Sequence, residues 1–326
     1  MRENKQFSVA DSASYETLEK YKILLIFVWR RNMKKIVFFK YLFSIVFMFT
    51  LAFAHADPVV TKLWESKADF KLPESVLYDE ENNILYVSNV GDGPYTKSNN
   101  GFISKVDLEG NITELKWVEG LNSPKGLAMF EKKLYVSDIA ELVEIDINSG
   151  KILNKYSAPG ANFLNDVTVD NVGNVYISDM FLDKIYQLNK VGQLITWLYT
   201  PELEAPNGLH YENGQIIVGS WGHLTNGFAP SVVGHLKTVS IESKKIKSLG
   251  NAKPVGTLDG VESDGNGAYF VTDWAGGNLL HISADGNFKV IAKLVKGAAD
   301  HEVIYEKNMI IVPLMNDNKL VAYKIK

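Results

Sequence analysis

From residue 57 onward, apolar and polar positions alternate with the two-residue period of strands and almost never with the period of helices. Short β-branched and aromatic runs recur between Gly, Asn and Asp turns: ILYVSN at 84–89, KLYVSD at 133–138, NVYISD at 174–179, QIIVGS at 215–220, AYFVTD at 268–273 and MIIVPL at 309–314. A second signal precedes each run: PESV from Pro73, PKGL from Pro124, LNDV from Leu164, PNGL from Pro206, LDGV from Leu258 and DHEV from Asp300. An alternating strand follows each, as in GFISKVDLEGNI and ELVEIDINSGKI. Six such units at roughly 40-residue spacing predict a repeat architecture.

Strand, turn, strand, turn, strand, repeated six times, is what a β-propeller needs, because each small sheet buries its faces only against its neighbours. The 270 residues from Asp57 give 45 per repeat, enough for four strands with their turns. The sixth unit reaches Lys326 without a fourth strand, and VVTKLW at 59–64 is expected to supply it and close the ring. The fold expected is therefore all-β, a six-bladed β-propeller over 57–326, ahead of a seven-bladed propeller or an open sandwich. Asn89, Asp138, Asp179 and Asp273, which end the LYVSD-like strands, are expected to hold turns through local backbone hydrogen bonds.

Composition changes the picture mainly at the N-terminus. The whole chain has 326 residues, 34 Lys and Arg against 38 Asp and Glu, and a net charge of −4. It lacks the basic excess of a nucleic-acid binder. Zero cysteines exclude thiolate metal sites, cysteine nucleophiles and disulfides. Residues 1–56 carry nine basic and four acidic groups, which leaves the remaining 270 residues at −9. From Met33 the sequence reads MKKIVFFKYLFSIVFMFTLAFAHA: a basic start, an apolar run from Tyr41 to Ala54, and small residues at Ala54 and Ala56. That is the anatomy of a secretory signal peptide over 33–56, cleaved after Ala56. The 14-residue run would rise only about 21 Å as a helix, short of a hydrocarbon core of roughly 30 Å. No membrane span is expected after cleavage. Residues 1–32 read as an upstream extension, with Met33 the expected true start and the periplasm or the medium the expected destination.

One position escapes the repetition. Two residues before the Val or Leu of each first strand stand Glu74, Lys125, Asn165, Asn207, Asp259 and His301, all polar and unlike one another. First strands of propeller blades face the central channel, so this register brings six distant side chains to one axis. Carboxylate and carboxamide oxygens without thiolate suit a hard divalent cation, Ca²⁺ best, with Mg²⁺, Mn²⁺ or Zn²⁺ by substitution. The bland alternative is a polar lining for a water-filled tunnel.

In order and spacing, PESV, LNDV, PNGLHY and DGVESD resemble the six-bladed propeller superfamily of senescence-marker protein/regucalcin, gluconolactonase, squid-type phosphotriesterase and paraoxonase. The resemblance implies that Glu74, Asn165, Asn207 and Asp259 ligate one catalytic divalent cation. Sugar-lactone-hydrolysing members carry an arginine two residues before the third-blade asparagine. Here Phe163 stands there, pointing to a more apolar substrate. His301 looks like a histidine beside the metal in the phosphotriesterase-like members, and Glu262, three residues after Asp259, is positioned to help it hold a second, structural cation. Lys125 matches no role in the family; an ion pair with Glu74 or a grip on a developing anion are the two readings.

The function expected is a divalent-metal-dependent hydrolase of lactones or related esters, with Asp259 or His301 activating water, or Asp259 attacking directly. No GxSxG elbow supports a serine hydrolase. Loops 91–101 and 222–234 are expected to roof the pocket with Tyr95, His223 and Phe228, joined by Trp221 and Trp274. The rival is a non-catalytic exported propeller in which calcium serves rigidity, since propellers host many functions. The partner expected is a small-molecule lactone or ester, and the protein is expected to act as a monomer. The export reading predicts that intact-mass analysis of the secreted protein finds a chain beginning at Asp57; a mature chain retaining residues 1–32 would refute it.

Overall fold

The computed structural model describes residues 58–326. The expected extension at 1–32 and the signal peptide at 33–56 lie outside the described residues. Six four-stranded antiparallel sheets are arranged as blades around a channel. Their innermost strands are Pro73–Asp79, Pro124–Phe130, Leu164–Val169, Pro206–Glu212, Leu258–Ser263 and the short Glu302–Ile304. The second strands are the LYVSD-like runs, from Ile84–Asn89 to Met309–Leu314. Among the described residues no helix is long and apolar enough to cross a membrane.

The ring closes as the sequence leads one to expect. Val60–Glu65 pairs antiparallel with the last strand, Lys319–Ile325, from Val60 opposite Ile325 to Glu65 opposite Val321, with one register slip between Lys62 and Trp64. The first strand of the chain thus becomes the outermost strand of the sixth blade. Trp64 fixes it sideways, its Nε1 donating to the Leu108 carbonyl of the first blade at 2.9 Å.

Packing follows from the alternation. Each sheet turns one apolar face to each neighbour, so the core is a series of wedges between blades rather than one central mass. Tyr86, Ile103 and Val118 of the first blade meet Leu127, Leu134, Val136 and Val143 of the second. Val76, Leu85 and Val87 meet Ile304, Ile311 and Leu320 where the ring closes. Each fully buried Leu, Ile or Val contributes about 1.5–3 kcal/mol of burial free energy, so loss of one wedge loosens two blades.

Neighbouring innermost strands approach most closely at one position, held by Gly126, Gly208 and Gly260 in three of the blades. The innermost strands of the first five blades share one irregularity: the register with the second strand slips between the first residue and the fourth, as between Pro73 and Val76 or Leu258 and Val261. Such a bulge turns two consecutive residues away from the pleat. Second-strand hydroxyls hold its backbone: Ser88 Oγ accepts from Ser75 N at 2.9 Å, Ser178 Oγ from Asp166 N at 2.9 Å and Thr272 Oγ1 from Gly260 N at 2.9 Å. The neighbouring Asn and Asp side chains do what their recurrence implied. Asp138 accepts from the backbone N–H groups of Asn122 and Ser123, and Asp179 from those of Asn162 and Phe163.

Segment 222–234, expected as a loop, is instead a two-stranded hairpin, Gly222–Asn226 with Ala229–Val233, inserted between the second and third strands of the fourth blade. A tighter feature is Gly208. A Cβ on it would lie 1.8 Å from the Asp259 carbonyl oxygen of the next blade. Gly208→Ala is expected to lower stability by about 1–3 kcal/mol, read as the shift of a urea denaturation midpoint. An unchanged midpoint would show that the strands are not this close.

Candidate functional site

The bulges give the channel two cavities. At the starts of the innermost strands lies a cavity of about 380 Å³ lined by Glu74, Lys125, Asn165, Asn207 and Asp259, with Phe163, Met180, Trp221, Phe228 and Trp274 above them. Toward the strand ends lies one of about 290 Å³, lined by Asp166, His210, Glu262, Asp300, His301 and Glu302 among others. Five of the six predicted ring residues thus converge, and the sixth, His301, faces the other cavity. It directly precedes the short sixth innermost strand, where Asp300 N donates to the Glu74 carbonyl at 2.9 Å.

All four predicted metal ligands are buried. Asn165 Nδ2 donates to Asn207 Oδ1 at 2.5 Å, which uses one atom of each carboxamide. Glu74 Oε2, Asn165 Oδ1 and Asn207 Nδ2 are left without a hydrogen-bond partner. Buried polar atoms are normally satisfied, so the unpartnered acceptors of Glu74 and Asn165, beside a second carboxylate, ask for a donor or a cation. Whichever way the linked amides are turned, one of them keeps a spare oxygen. Among the described residues no group of three or more His, Asp or Glu is arranged as a metal site. The residues that fit a hard cation are therefore a mixed set of two carboxylates and two carboxamides, within the chemistry that calcium accepts.

Electrostatics point the same way. Burial pushes the Glu74 carboxyl well above the usual carboxylate range; Asp259 and Asp300 push it further, and Lys125 pulls against them. Burial raises Asp259 too, with Asp300 adding and the nearby Asn207 carboxamide opposing. Asp300 is raised to about 7, chiefly by burial. Burial and crowding thus favour the protonated forms of these acids unless a cation joins them.

Lys125 does not ion-pair with Glu74. Its Nζ donates to the Ser123 carbonyl at 3.1 Å and reaches Ser123 Oγ at 3.4 Å. It lies 4.5 Å from the centre of the Phe163 ring. Burial brings its pKa down to about 8. Glu262 engages His210, Oε2 to Nδ1 at 3.0 Å. Both ring nitrogens of His301 lack a partner, and burial lowers its pKa to about 4. A neutral imidazole therefore sits in the second cavity beside Glu262, without a direct bond to it.

The roof is aromatic. Tyr95 packs on Phe163 at 5.0 Å and on Phe228 at 5.8 Å between ring centres, and Trp221 lies 5.7 Å from Trp274. Trp221 Nε1 donates to the Phe228 carbonyl at 2.8 Å, which ties the hairpin to its base. Tyr95 is half exposed and covers the cavity through Phe163 and Phe228 rather than lining it. His223 does not reach the cavity. It is exposed and pairs with Glu204 at 3.3 Å. Sequence reading missed Phe181, which packs against Phe163 at 5.0 Å, and the lining residues Met180, Lys296 and Met315. A polar residue that breaks a repeat is conspicuous; an apolar residue in a loop has no such signal.

With this geometry in view, comparison with known proteins is informative about the fold. No protein-family profile and no curated protein sequence matches the chain. Among solved structures it is similar to a streptogramin B lyase, with TM-score 0.60, 11% identity, and 82% of this chain and 98% of that one covered. It is also similar to a catalytically inactive virginiamycin B lyase from Staphylococcus aureus with quinupristin, with TM-score 0.57, 11% identity, and coverage of 82% and 99%. The likeness is one of fold. At this identity it supports the six-bladed propeller and leaves the chemistry to the residues themselves.

Carboxyls with raised pKa bind protons more tightly in the folded chain than in the unfolded one. Their contribution to stability is fully present below the ordinary value of about 4 and is lost as pH rises through the raised values, about 7 for Asp300. Chelator-treated protein is expected to melt at falling temperature from about pH 5 to pH 8. Calcium, which favours the ionised carboxylates, is expected to reverse the fall. A melting temperature flat in pH and indifferent to calcium would count against the site.

Proposed function

We propose that the protein is a divalent-metal-dependent hydrolase of lactones or related esters with an apolar body, acting outside the cytoplasm in the periplasm or the medium. The observation that carries this reading is the buried set Glu74, Asn165, Asn207 and Asp259, with oxygens that lack partners, at the floor of an aromatic cavity. Glu74, Asn165, Asn207 and Asp259 would hold the cation, calcium by their donor chemistry. Bound there, it supplies Lewis-acid polarisation of the substrate carbonyl oxygen.

The chain supplies the rest. Phe163, Phe228, Trp221 and Trp274 exclude water from the substrate's apolar body and orient its polar end toward the floor. Asp259 takes a proton from the attacking water as the water oxygen bonds to the carbonyl carbon, and the proton then passes to the departing alkoxide. His301 acts in this scheme only from the other cavity, so Asp259 is assigned the base. Phe163 favours acyl or aryl esters over sugar lactones, because it offers no hydrogen bond to hydroxyl groups.

The solved structures that resemble this chain are named as lyases, which favours a second reading: bond breaking by elimination, with no water consumed. A panel of lactones and aryl esters, assayed with calcium and with EDTA, tests the first reading. Turnover is expected with calcium, to be lost in EDTA, and to fall at least about 100-fold in Asp259→Asn. Labelled water is expected to deliver one oxygen to the acid product; product formed without label indicates elimination. Folded, calcium-loaded protein that turns over none of the panel leaves the non-catalytic ligand-binding propeller.

A further inference from the structure

We propose that Lys125 is an anion-binding residue, and that the cavity it lines accepts a monocarboxylate carried on an aromatic or similarly apolar body. This inference rests on the proposed hydrolase reading for its biological sense, because ester hydrolysis ends in a carboxylate, but its geometry stands independently. Lys125 is 2% exposed, one of the largest fully buried side chains in the protein. Its three donors meet one carbonyl at 3.1 Å and one distant hydroxyl at 3.4 Å, both of Ser123, and its charge lies over the face of Phe163. A buried ammonium ordinarily has a carboxylate against it.

The surrounding acids do not fill that role. Asp138 is occupied by the backbone N–H groups of Asn122 and Ser123, and Asp179 by those of Asn162 and Phe163. Glu74 shares the cavity but makes no ion pair with Lys125, and its unpartnered oxygen belongs to the set suited to a cation. Charge makes the case sharper. With Glu74 and Asp259 ionised and a divalent cation held by the set, the Lys125 ammonium would leave the cavity with one positive charge in excess. A single carboxylate or a developing oxyanion would complete neutrality, and a charge-assisted hydrogen bond to so buried an ammonium is among the strong ones. The aromatic residues above the floor, Trp221, Phe228 and Trp274, supply the matching apolar surface.

Phenylacetate and its neutral isostere phenylacetamide are the probes, and quenching of Trp221 and Trp274 fluorescence is the readout, so catalysis is not needed. Wild-type protein is expected to bind phenylacetate at least about 10-fold more tightly than phenylacetamide in calcium, where the cation offsets Glu74 and Asp259. Lys125→Met is expected to reduce that preference at least about 10-fold while leaving phenylacetamide affinity unchanged. Unchanged amide binding also shows that the variant cavity has folded. Equal binding of the two probes by wild type overturns the proposal, as does a methionine variant that keeps its preference. Calcium titrated alone reports separately on the metal reading: calcium that binds without any preference for phenylacetate overturns the role of Lys125 and leaves the metal site standing, whereas calcium that does not bind overturns both the metal reading and the charge balance that rests on it.

Discussion

Everything in this molecule is arranged around the closeness of six innermost strands at the axis. A Cβ on Gly208 would meet the Asp259 carbonyl, one on Gly126 would lie 2.5 Å from the Asp166 Cα, and one on Gly260 would lie 2.7 Å from the His301 N. Backbones at that distance must satisfy one another's polar groups or leave them buried and unpaired. The chain meets the demand with short side chains bridging neighbouring blades. Asp166 Oδ2 accepts from Leu209 N at 2.6 Å, Glu302 Oε2 from Tyr78 N at 2.8 Å, and Ser75 Oγ donates to Asp300 Oδ2 at 2.6 Å. Carboxylates near the axis are therefore partly stitching, and only those left over are free for chemistry.

That distinction explains how much was legible in the sequence. The LYVSD-like runs announced the second strands because each blade needs the same alternation of apolar and polar faces, and the missing fourth strand of the last repeat pointed to 59–64. Glu74, Asn165, Asn207 and Asp259 stood out because a channel position need not repeat. The bulge could not be read, since a register slip depends on a partner strand rather than on local pattern. The sixth innermost strand, which begins only at Glu302, pairs without that slip, and His301 just before it faces the second cavity. Glu262 illustrates the same limit. Its spacing from Asp259 was visible, but its partner His210 comes from another blade, whose register sets the contact.

The bulge also accounts for the division of labour between the two cavities. In a regular strand, consecutive side chains point to opposite faces of the sheet, here into the wedges between blades. A bulge frees two neighbours from that alternation. Asn165 lines the cavity at the strand starts while Asp166, the next residue, lines the one at the strand ends. In the third blade this device thus sends polar groups toward both cavities and still leaves the flanking Leu164 and Val167 in the core; in the second, fourth and fifth blades the second bulge residue is Gly126, Gly208 or Gly260.

The strength of the site follows from where its charges sit. An exposed carboxylate beside an ammonium interacts weakly because water screens both. Here the aromatic roof of Tyr95, Phe163, Phe181 and Phe228 covers a floor on which Glu74, Asp259 and Lys125 are all buried. Low polarisability above the floor raises the cost of every uncompensated charge and the value of every compensated one. The raised pKa of Glu74 and the depressed pKa of Lys125 express that cost. The same burial that makes the set expensive to fold makes it selective, because only a ligand that supplies the missing charges, with an apolar body to replace the water above them, relieves all of them at once.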